Sequence, residues 1–371
     1  MKGQETEGAF SAYWSTSYFP ALDGLRAVCI AMVMSYHLHE KVPSFFYGEL
    51  GVDVFFVLSG FLITTLLLRE KERSGSVSLK GFYVRRAFRI LPVYYLVLLL
   101  YFPAIWLTHD SARWHELKGA LPYLLTFIQE FRPESTGNVY AQTWSLGFEE
   151  KFYLFWPLLV LAFYPFRRRG FFVLLAIGTG ICFLPWLASR SYAGLLFGSL
   201  LGILLDRSTH SRMQPYFAKI NPWFALGMVV VAYFLVGAGT VPVHFFSAAV
   251  VFLVAPLVLR WGILRHILSH PFMVVPGKRS YAMYLLHVLV IDTVTAVAKK
   301  LHIDIWFVVL PLAYFATFLV ATALFHLVEG PSIEYGRRLS RRMRARLTES
   351  LAIPAPPEAA QVRPIENPVD V

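Results

Sequence analysis

The chain alternates between long apolar runs and short polar segments that are rich in Lys and Arg. Ten of the apolar runs predict membrane spans, at about 22–41, 50–68, 90–108, 143–165, 171–188, 193–205, 223–238, 243–259, 280–298 and 306–328. A transmembrane helix satisfies all its backbone hydrogen bonds internally, which lipid requires. The pattern therefore predicts an all-α polytopic membrane protein, a bundle of about ten transmembrane helices.

Composition and charge distribution support this prediction. The 371 residues are 57% hydrophobic and only 15% charged, which is too apolar for an ordinary soluble protein. With the N-terminus inside, 25 of the 34 Lys and Arg residues fall in inner segments, seven in outer loops and two in spans. This bias predicts that both termini are cytoplasmic, and it assigns the net charge of +11 to membrane orientation rather than to nucleic-acid binding.

Three segments divide the chain. Residues 1–20 are expected to form a cytoplasmic segment without a removable signal peptide, 21–331 the transmembrane domain, and 332–371 a basic and then Pro-rich cytoplasmic tail that is disordered. Residues 117–131 are also apolar, but a crossing there would place the arginines at 167–169 outside. The sequence therefore predicts an outer re-entrant or interfacial helix over 117–131. Both cysteines lie in apolar runs and are expected to be packing residues.

Ionisable side chains within the spans are candidate functional groups, because each is costly at membrane depth. Arg26 and His37 are 11 residues apart, which places them on one face of the first helix about 16 Å apart. Asp23 has the spacing to form an ion pair with Arg26. The groups expected toward the inner side are Asp23, Arg26, Arg85, Arg86, Arg89, His287 and Glu329. The groups expected toward the outer side are His37, Asp53, Glu149 and Glu150.

The inner cations have two interpretations. Arg86 and Arg89 are three residues apart, on one face of the third predicted helix. Planar guanidinium groups bind phosphate oxygens in pairs, which favours a phosphorylated ligand from the cytosol. Arginines also anchor the cytoplasmic end of a span, and the spacing alone leans toward that simpler interpretation.

The imidazole of His37 also has two interpretations. A lone buried histidine is as readily a hydrogen-bonded contact between helices as a catalytic base. The carboxylates Asp53, Glu149 and Glu150, predicted at similar depth, favour a base because a carboxylate can orient the ring. Glu149 and Glu150 point about 100° apart, so at most one of them is expected to face the same cavity as His37, and the other to face Lys151 or solvent.

Six stretches, in order along the chain, resemble the acyltransferase-3 type family of integral membrane O-acyltransferases. They are LDGLRAVCIAMVMSYH (22–37), GVDVFFVLSGFLI (51–63), FYVRRAFRILPVYY (82–95), QTWSLGFEEKFYLFWPLL (142–159), SYAMYLLH (280–287) and VEGP (328–331). The resemblance implies a multi-pass protein of the cytoplasmic membrane that moves an acyl group, usually acetyl, from cytosolic acyl-CoA. The acceptor would be a hydroxyl of an envelope polysaccharide, a glycolipid or a secreted glycoside. Acyl-CoA would be a co-substrate, with no permanently bound cofactor and no metal.

The resemblance also assigns site residues by position. The family's Arg-x10-His pattern falls on Arg26 and His37, its RxxR pattern on Arg86 and Arg89, and its WSL-x-x-E pattern on residues 144–149. Together with the charges and depths described above, these matches give His37, Glu149, Asp53 and Arg26 as candidate catalytic residues and Arg86, Arg89 and Arg85 as candidate donor-binding residues. Secondary candidates are Asp23, Trp144, Ser145, Glu150, Ser280, Tyr284 and His287. His37 would act as a general base or as a nucleophile that forms an acyl-imidazole.

Two departures from the family pattern are visible. Gly147 and Phe148 stand where the family often has serine and valine, which alters packing near Glu149 but removes no functional group. Some family members carry a fused extracellular hydrolase-like domain, for which the tail after Pro331 is too short. The bundle is therefore expected to complete the transfer itself or to hand the acyl group to a separate envelope-assembly partner.

Two other function classes fit the same polar residues. A transporter or flippase would use the cationic mouth for an anionic or saccharide substrate and the histidine and carboxylates for a proton relay. A scaffold would use the polar residues only to hold helices together.

Overall fold

The computed structural model describes residues 10–16, 18–38, 43, 45–164, 192–207, 214–303 and 305–351. The predicted span at 171–188, the arginines at 167–169 and Cys182 lie outside the described residues. Side chains are described except at 163 and 345–351. The all-helical prediction is confirmed for the described residues, which contain no strand.

The helices follow the predicted apolar runs closely. In chain order they are α1 Pro20–His37, α2 Leu50–Ser74, α3 Leu79–Thr108, α4 Ser111–Leu125, α5 Trp144–Phe163, α6 Tyr192–Leu204, α7 Gln214–Lys219, α8 Pro222–Gly237, α9 Val243–Leu259, α10 Ile263–Leu268, α11 Pro271–Lys278, α12 Ser280–Lys300, α13 Trp306–Leu324 and α14 Gly330–Leu351. A π-helical turn, Phe325–Glu329, joins α13 to α14. Short 3₁₀ turns connect α4 to α5.

Four helices in the described part of the chain are long and apolar enough to cross a membrane. They are α2, α3, α12 and the continuous helix Trp306–Arg344, which includes α13 and most of the described side chains of α14. Helices α6, α8 and α9 are apolar but shorter. The structure is thus that of a membrane protein, while the count of ten spans and the cytoplasmic placement of both termini remain predictions.

The ends of three elements differ from their predicted limits. Helix α3 begins at Leu79, earlier than the predicted span, because the Ser78 hydroxyl caps it by accepting a hydrogen bond from the Gly81 amide at 3.2 Å. The basic part of the predicted disordered tail is instead the helix α14, which packs against α3. The helix predicted at 117–131 begins at Ser111, capped by Asp110, and ends at Leu125.

Glycines allow α2 and α6 to approach each other closely. Gly194, Gly198 and Gly202 recur every fourth residue along α6, a spacing that places small residues on one face of a membrane helix. A Cβ added to Gly198 would lie 2.0 Å from the Val57 carbonyl oxygen, and one added to Gly60 would lie 2.0 Å from the Leu195 carbonyl oxygen. The two backbones are therefore in direct contact, with no room for a side chain between them.

Gly198→Ala is expected to destabilise the bundle by at least about 1–3 kcal/mol, because the added methyl group must push the two helices apart. Gly227→Ala on α8 is the matched control, since nothing lies within 4 Å of its added Cβ. Alanine also favours helix over glycine, so the control should be neutral or slightly stabilising. Thermal unfolding of both variants in detergent checks this, and equal midpoints would contradict the close packing.

The start of α1 is held against α10 and α11 in the same way. A Cβ on Gly24 would lie 1.9 Å from the Leu268 carbonyl oxygen, and a Cβ on Gly277 would lie 1.8 Å from that of Asp23. These contacts fix the first turns of α1, which carry Asp23 and Arg26, next to the start of α12.

Candidate active site

Two histidines from different helices meet inside the bundle. His37 is the last residue of α1, and His287 lies on α12, where it is fully buried. The Nε2 atom of His287 lies 3.2 Å from Nδ1 of His37, and the ring centroids are 4.6 Å apart. The sequence suggested different depths for these residues. They meet because helical side chains lean toward the helix N-terminus, which directs the His37 ring back toward Val33.

Backbone carbonyl groups determine which ring nitrogen of each histidine carries a proton. The Nδ1 atom of His287 lies 2.6 Å from the Tyr284 carbonyl oxygen, and Nδ1 of His37 lies 3.0 Å from that of Val33. A carbonyl oxygen only accepts hydrogen bonds, so both Nδ1 atoms are protonated. Neutral His37 then carries its lone pair on Nε2, as a general base or nucleophile requires. The one Nδ1–H of His37 is then shared between two acceptors, the Val33 carbonyl oxygen and Nε2 of His287.

A buried hydrogen-bond network ties His287 to the start of α5. The Tyr284 hydroxyl donates to the Gln142 carbonyl oxygen at 2.5 Å, so Ser145, at 2.7 Å, donates to the Tyr284 hydroxyl. The Gln142 side chain donates to the Tyr101 hydroxyl at 3.1 Å. Because these groups are buried and hydrogen-bonded, the network fixes α12, and with it the His287 ring, relative to α5.

Glu149 lies one turn beyond Ser145 on α5 and belongs with the arginines rather than with His37. Its Oε1 accepts a hydrogen bond from the Ser59 hydroxyl at 2.7 Å. Ser59 is six residues beyond the Asp53 position on α2, or about 9 Å further along that helix. Glu149 also interacts electrostatically with Arg86 and Arg26. The structure thus differs from the expected outer position, because sequence alone does not give the depth at which α5 enters the bundle.

The three neighbouring arginines of α3 have different surroundings. Arg85 is engaged by protein groups, with Nη2 3.1 Å from the Glu70 carboxylate and Nη1 2.8 Å from the Ser340 hydroxyl. Arg86 lies over the Tyr153 ring at 4.6 Å. Within the described part of the chain, neither Arg86 nor Arg89 forms a hydrogen bond or a contact ion pair. The guanidinium groups of Arg86 and Arg89 therefore retain their capacity to bind an anion.

The predicted ion pair on α1 is present. Nη1 of Arg26 lies 3.0 Å from Oδ1 of Asp23, and the Tyr18 hydroxyl donates to Oδ2 at 2.7 Å. Asp23 is buried, so the carboxylate offsets the cost of placing Arg26 inside the bundle. The pair orients Arg26 toward the same electrostatic cluster as Arg89 and Glu149.

Glu150 and Lys151 have different principal partners. Glu150 interacts electrostatically with Glu149, Arg86 and Lys151. The closest partner of Lys151 is instead Glu130, whose Oε1 lies 2.5 Å from the ammonium nitrogen. This ion pair holds the connection between α4 and α5 against the bundle.

Three further candidates lie around these groups. Asp53 is buried in the first turn of α2, and Ser280 is the buried first residue of α12. The Trp144 ring packs edge-on against Phe56 and Phe148. The catalytic roles suggested for these three residues remain predictions.

The polar groups form one path through the helices, which we call the polar column. Its members are His37, His287, Tyr284, Ser145, Glu149, Ser59, Arg26, Arg86 and Arg89. Sequence reasoning did not select Ser59 or Gln142, and it overlooked Tyr153, which lies beside Glu149. The available signal was a polar residue within a span, together with the one-turn spacing between Glu149 and Tyr153.

A family model described as an Acyltransferase domain matches residues 19–326. Among curated proteins, the chain is 28% identical to "Peptidoglycan O-acetyltransferase OatA" of Listeria monocytogenes, with 86% of this chain and 56% of that protein covered. It is 27% identical to a "Putative O-acetyltransferase" of Staphylococcus aureus strain COL, with 88% and 59% covered. It is 28% identical to "Putative peptidoglycan O-acetyltransferase YrhL" of Bacillus subtilis, with 88% and 57% covered.

These relatives are longer than the matched region. The chain spans between 56% and 59% of their lengths. No solved structure matches the chain.

Proposed function

Because the chain belongs to the acyltransferase-3 type family that this domain defines, we propose that it is a membrane O-acetyltransferase. The proposed donor is cytosolic acetyl-CoA, and the proposed acceptor is a hydroxyl of a peptidoglycan-type carbohydrate. The printed names of the relatives support the acyl group and the acceptor class. The observation that carries the proposal is the histidine pair, whose backbone hydrogen bonds leave the His37 lone pair on Nε2.

The donor would enter at the arginine end of the polar column. Arg86 and Arg89 would hold the phosphate groups of coenzyme A through charge-assisted hydrogen bonds. The pantetheine arm would then extend toward His37, and Arg26, fixed by Asp23, would lie along its path. The negative charge of the donor's phosphate groups fits the arginine end of this site, and its thioester would then have to reach the imidazoles at the other end.

The chemical step would use His37 as general base on the acceptor. Nε2 of His37 takes the proton of the acceptor hydroxyl while the oxygen of that hydroxyl attacks the carbonyl carbon of the thioester. The carbon–sulfur bond breaks, the sulfur takes the proton back from the imidazolium, and coenzyme A leaves as a thiol. His287 supports the charged intermediate state of His37, because its Nε2 is placed to accept the Nδ1–H hydrogen bond. Glu149 lies among the arginines and would contribute to the electrostatics of the donor site.

Acceptor-dependent release of coenzyme A tests the proposal. Proteoliposomes holding the wild-type chain would receive isotopically labelled acetyl-CoA, with and without peptidoglycan fragments. We expect coenzyme A thiol and labelled acetyl ester to appear together, and only when the glycan is present. Movement of glycan across the bilayer without thioester cleavage would favour a flippase instead. Protein-bound label in the absence of glycan would identify the acyl-imidazole route.

A further inference from the structure

Glu329 is a buried carboxylate that the proposed mechanism does not use. It ends the π-helical turn between α13 and α14, and only 1% of its surface is exposed. Its Oε2 atom is buried without a hydrogen-bond partner in the described structure. A buried carboxylate oxygen without a partner carries a stability cost, and π turns are frequent at functional sites.

Two arginines from other elements are the charges that Glu329 meets. It interacts electrostatically with Arg89 of α3 and with Arg279, which immediately precedes α12. Arg279 lies over the ring of Phe325 at 5.3 Å, in the same π turn as Glu329, and α3 packs against that turn. Within the described residues, no contact ion pair joins Glu329 to either arginine. When it is ionised, Glu329 therefore acts on Arg89 through its electrostatic field rather than by occupying the N–H groups of Arg89.

Arg89 lies in a cluster that contains charges of both signs. Its electrostatic neighbours include Arg86 and Arg26, which repel it, and Glu329, which attracts it. Without Glu329, this end of the polar column would be a stronger anion site. A negative charge about 10 Å from a bound phosphate, at an effective dielectric constant near 20, weakens the binding of that phosphate by roughly tenfold.

The proposed donor and its product share their phosphate groups. Acetyl-CoA and coenzyme A differ at the sulfur, so the arginines hold both equally, and such uniform binding does not accelerate the chemical step. Tight binding of the phosphate groups does slow the departure of coenzyme A, and product release limits turnover in many enzymes. A carboxylate near the arginines would shorten the time for which the product remains bound.

We propose that Glu329 is a counter-charge that weakens the hold of Arg89 on the phosphate groups of coenzyme A, so that the product leaves. This inference rests on the proposed donor site. Glu329 would act through Arg89 and would not touch the reacting atoms.

The test is coenzyme A affinity, measured by calorimetry on the purified protein in nanodiscs. Glu329→Gln should bind coenzyme A about tenfold more tightly and show about tenfold stronger product inhibition, while Glu329→Asp keeps wild-type affinity. Glu334→Gln is the matched control, because this carboxylate lies five residues further along the same continuous helix and pairs with Arg338 and Arg341. It should leave the affinity unchanged. If Glu329→Gln does not fold, Glu329→Leu replaces it, since leucine leaves no buried polar atom unpaired.

A second set of measurements, made in a protein that carries Arg89→Gln, distinguishes failure of this inference from failure of the proposed donor site. In an Arg89→Gln protein, the additional change Glu329→Gln should give less tightening than it gives in the wild type, because the two residues are coupled. Unchanged or weaker affinity in the Glu329→Gln protein would overturn the inference, and so would equal tightening in both backgrounds. If Arg89→Gln alone leaves coenzyme A affinity unchanged, the proposed donor site is wrong.

Discussion

Replacing His37 with alanine is expected to abolish acetyl transfer while the protein remains in the membrane at normal abundance. The ring is the group whose Nε2 lone pair would accept the acceptor's proton, and loss of a general base costs about 10²–10⁴ in rate. The substitution also removes the hydrogen-bond donor that faces His287. The measurement is the rate of labelled acetyl ester formation in membranes adjusted to equal protein content.

Substitutions at two other histidines serve as comparisons for this result. His287→Asn should reduce the rate less than His37→Ala, because the Val33 carbonyl group still holds the proton of His37 on Nδ1. His115→Ala, at an exposed position of α4, should have no effect. If His37→Ala releases coenzyme A as fast as the wild type in the presence of glycan, His37 is structural and Glu149 becomes the next candidate base.

Replacing both Arg86 and Arg89 with glutamine is expected to raise the KM for acetyl-CoA by about 100-fold or more. Each guanidinium would lose a charge-assisted hydrogen bond to phosphate, worth about 1.5–3 kcal/mol. The rate at saturating donor should fall much less, because in the proposed binding mode these groups contact the phosphates and not the thioester. Initial rates over a range of acetyl-CoA concentrations separate the two effects.

Arg85→Gln is the control within the same run of sequence. Its guanidinium is already held by Glu70 and Ser340, so its loss should lower the free energy of unfolding and leave the KM unchanged. A KM that rises equally for Arg85→Gln and for the paired substitution would show that general positive charge, rather than the Arg86 and Arg89 site, attracts the donor.

The helices of the described chain were predictable from sequence because hydrophobic length is a local property. The ion pair of Asp23 with Arg26 was predictable for the same reason, since three residues along one helix fix the geometry. The resemblance in six ordered stretches located the family, which the comparison confirms.

The relations between helices were not predictable in this way. His287 meets His37 only because α12 packs beside α1, and Glu149 joins the arginines only because α5 enters the bundle to the depth of Ser59. Arg85 and Arg86 are adjacent in sequence, yet a 100° rotation gives one a protein carboxylate and the other a neighbouring aromatic ring. Helix periodicity defines a face, but the identity of the facing helix comes from tertiary packing.

The unbroken helix from Trp306 to Arg344 is 39 residues long, or about 58 Å, nearly twice the hydrocarbon thickness of a bilayer. Its last turns reach α3, where Ser340 meets Arg85 and Gly336 lies against Phe88. The basic segment after Pro331 is therefore a helix packed against α3 rather than a flexible tail. A displacement of this C-terminal half would therefore be transmitted through these contacts to the helix that carries Arg86 and Arg89.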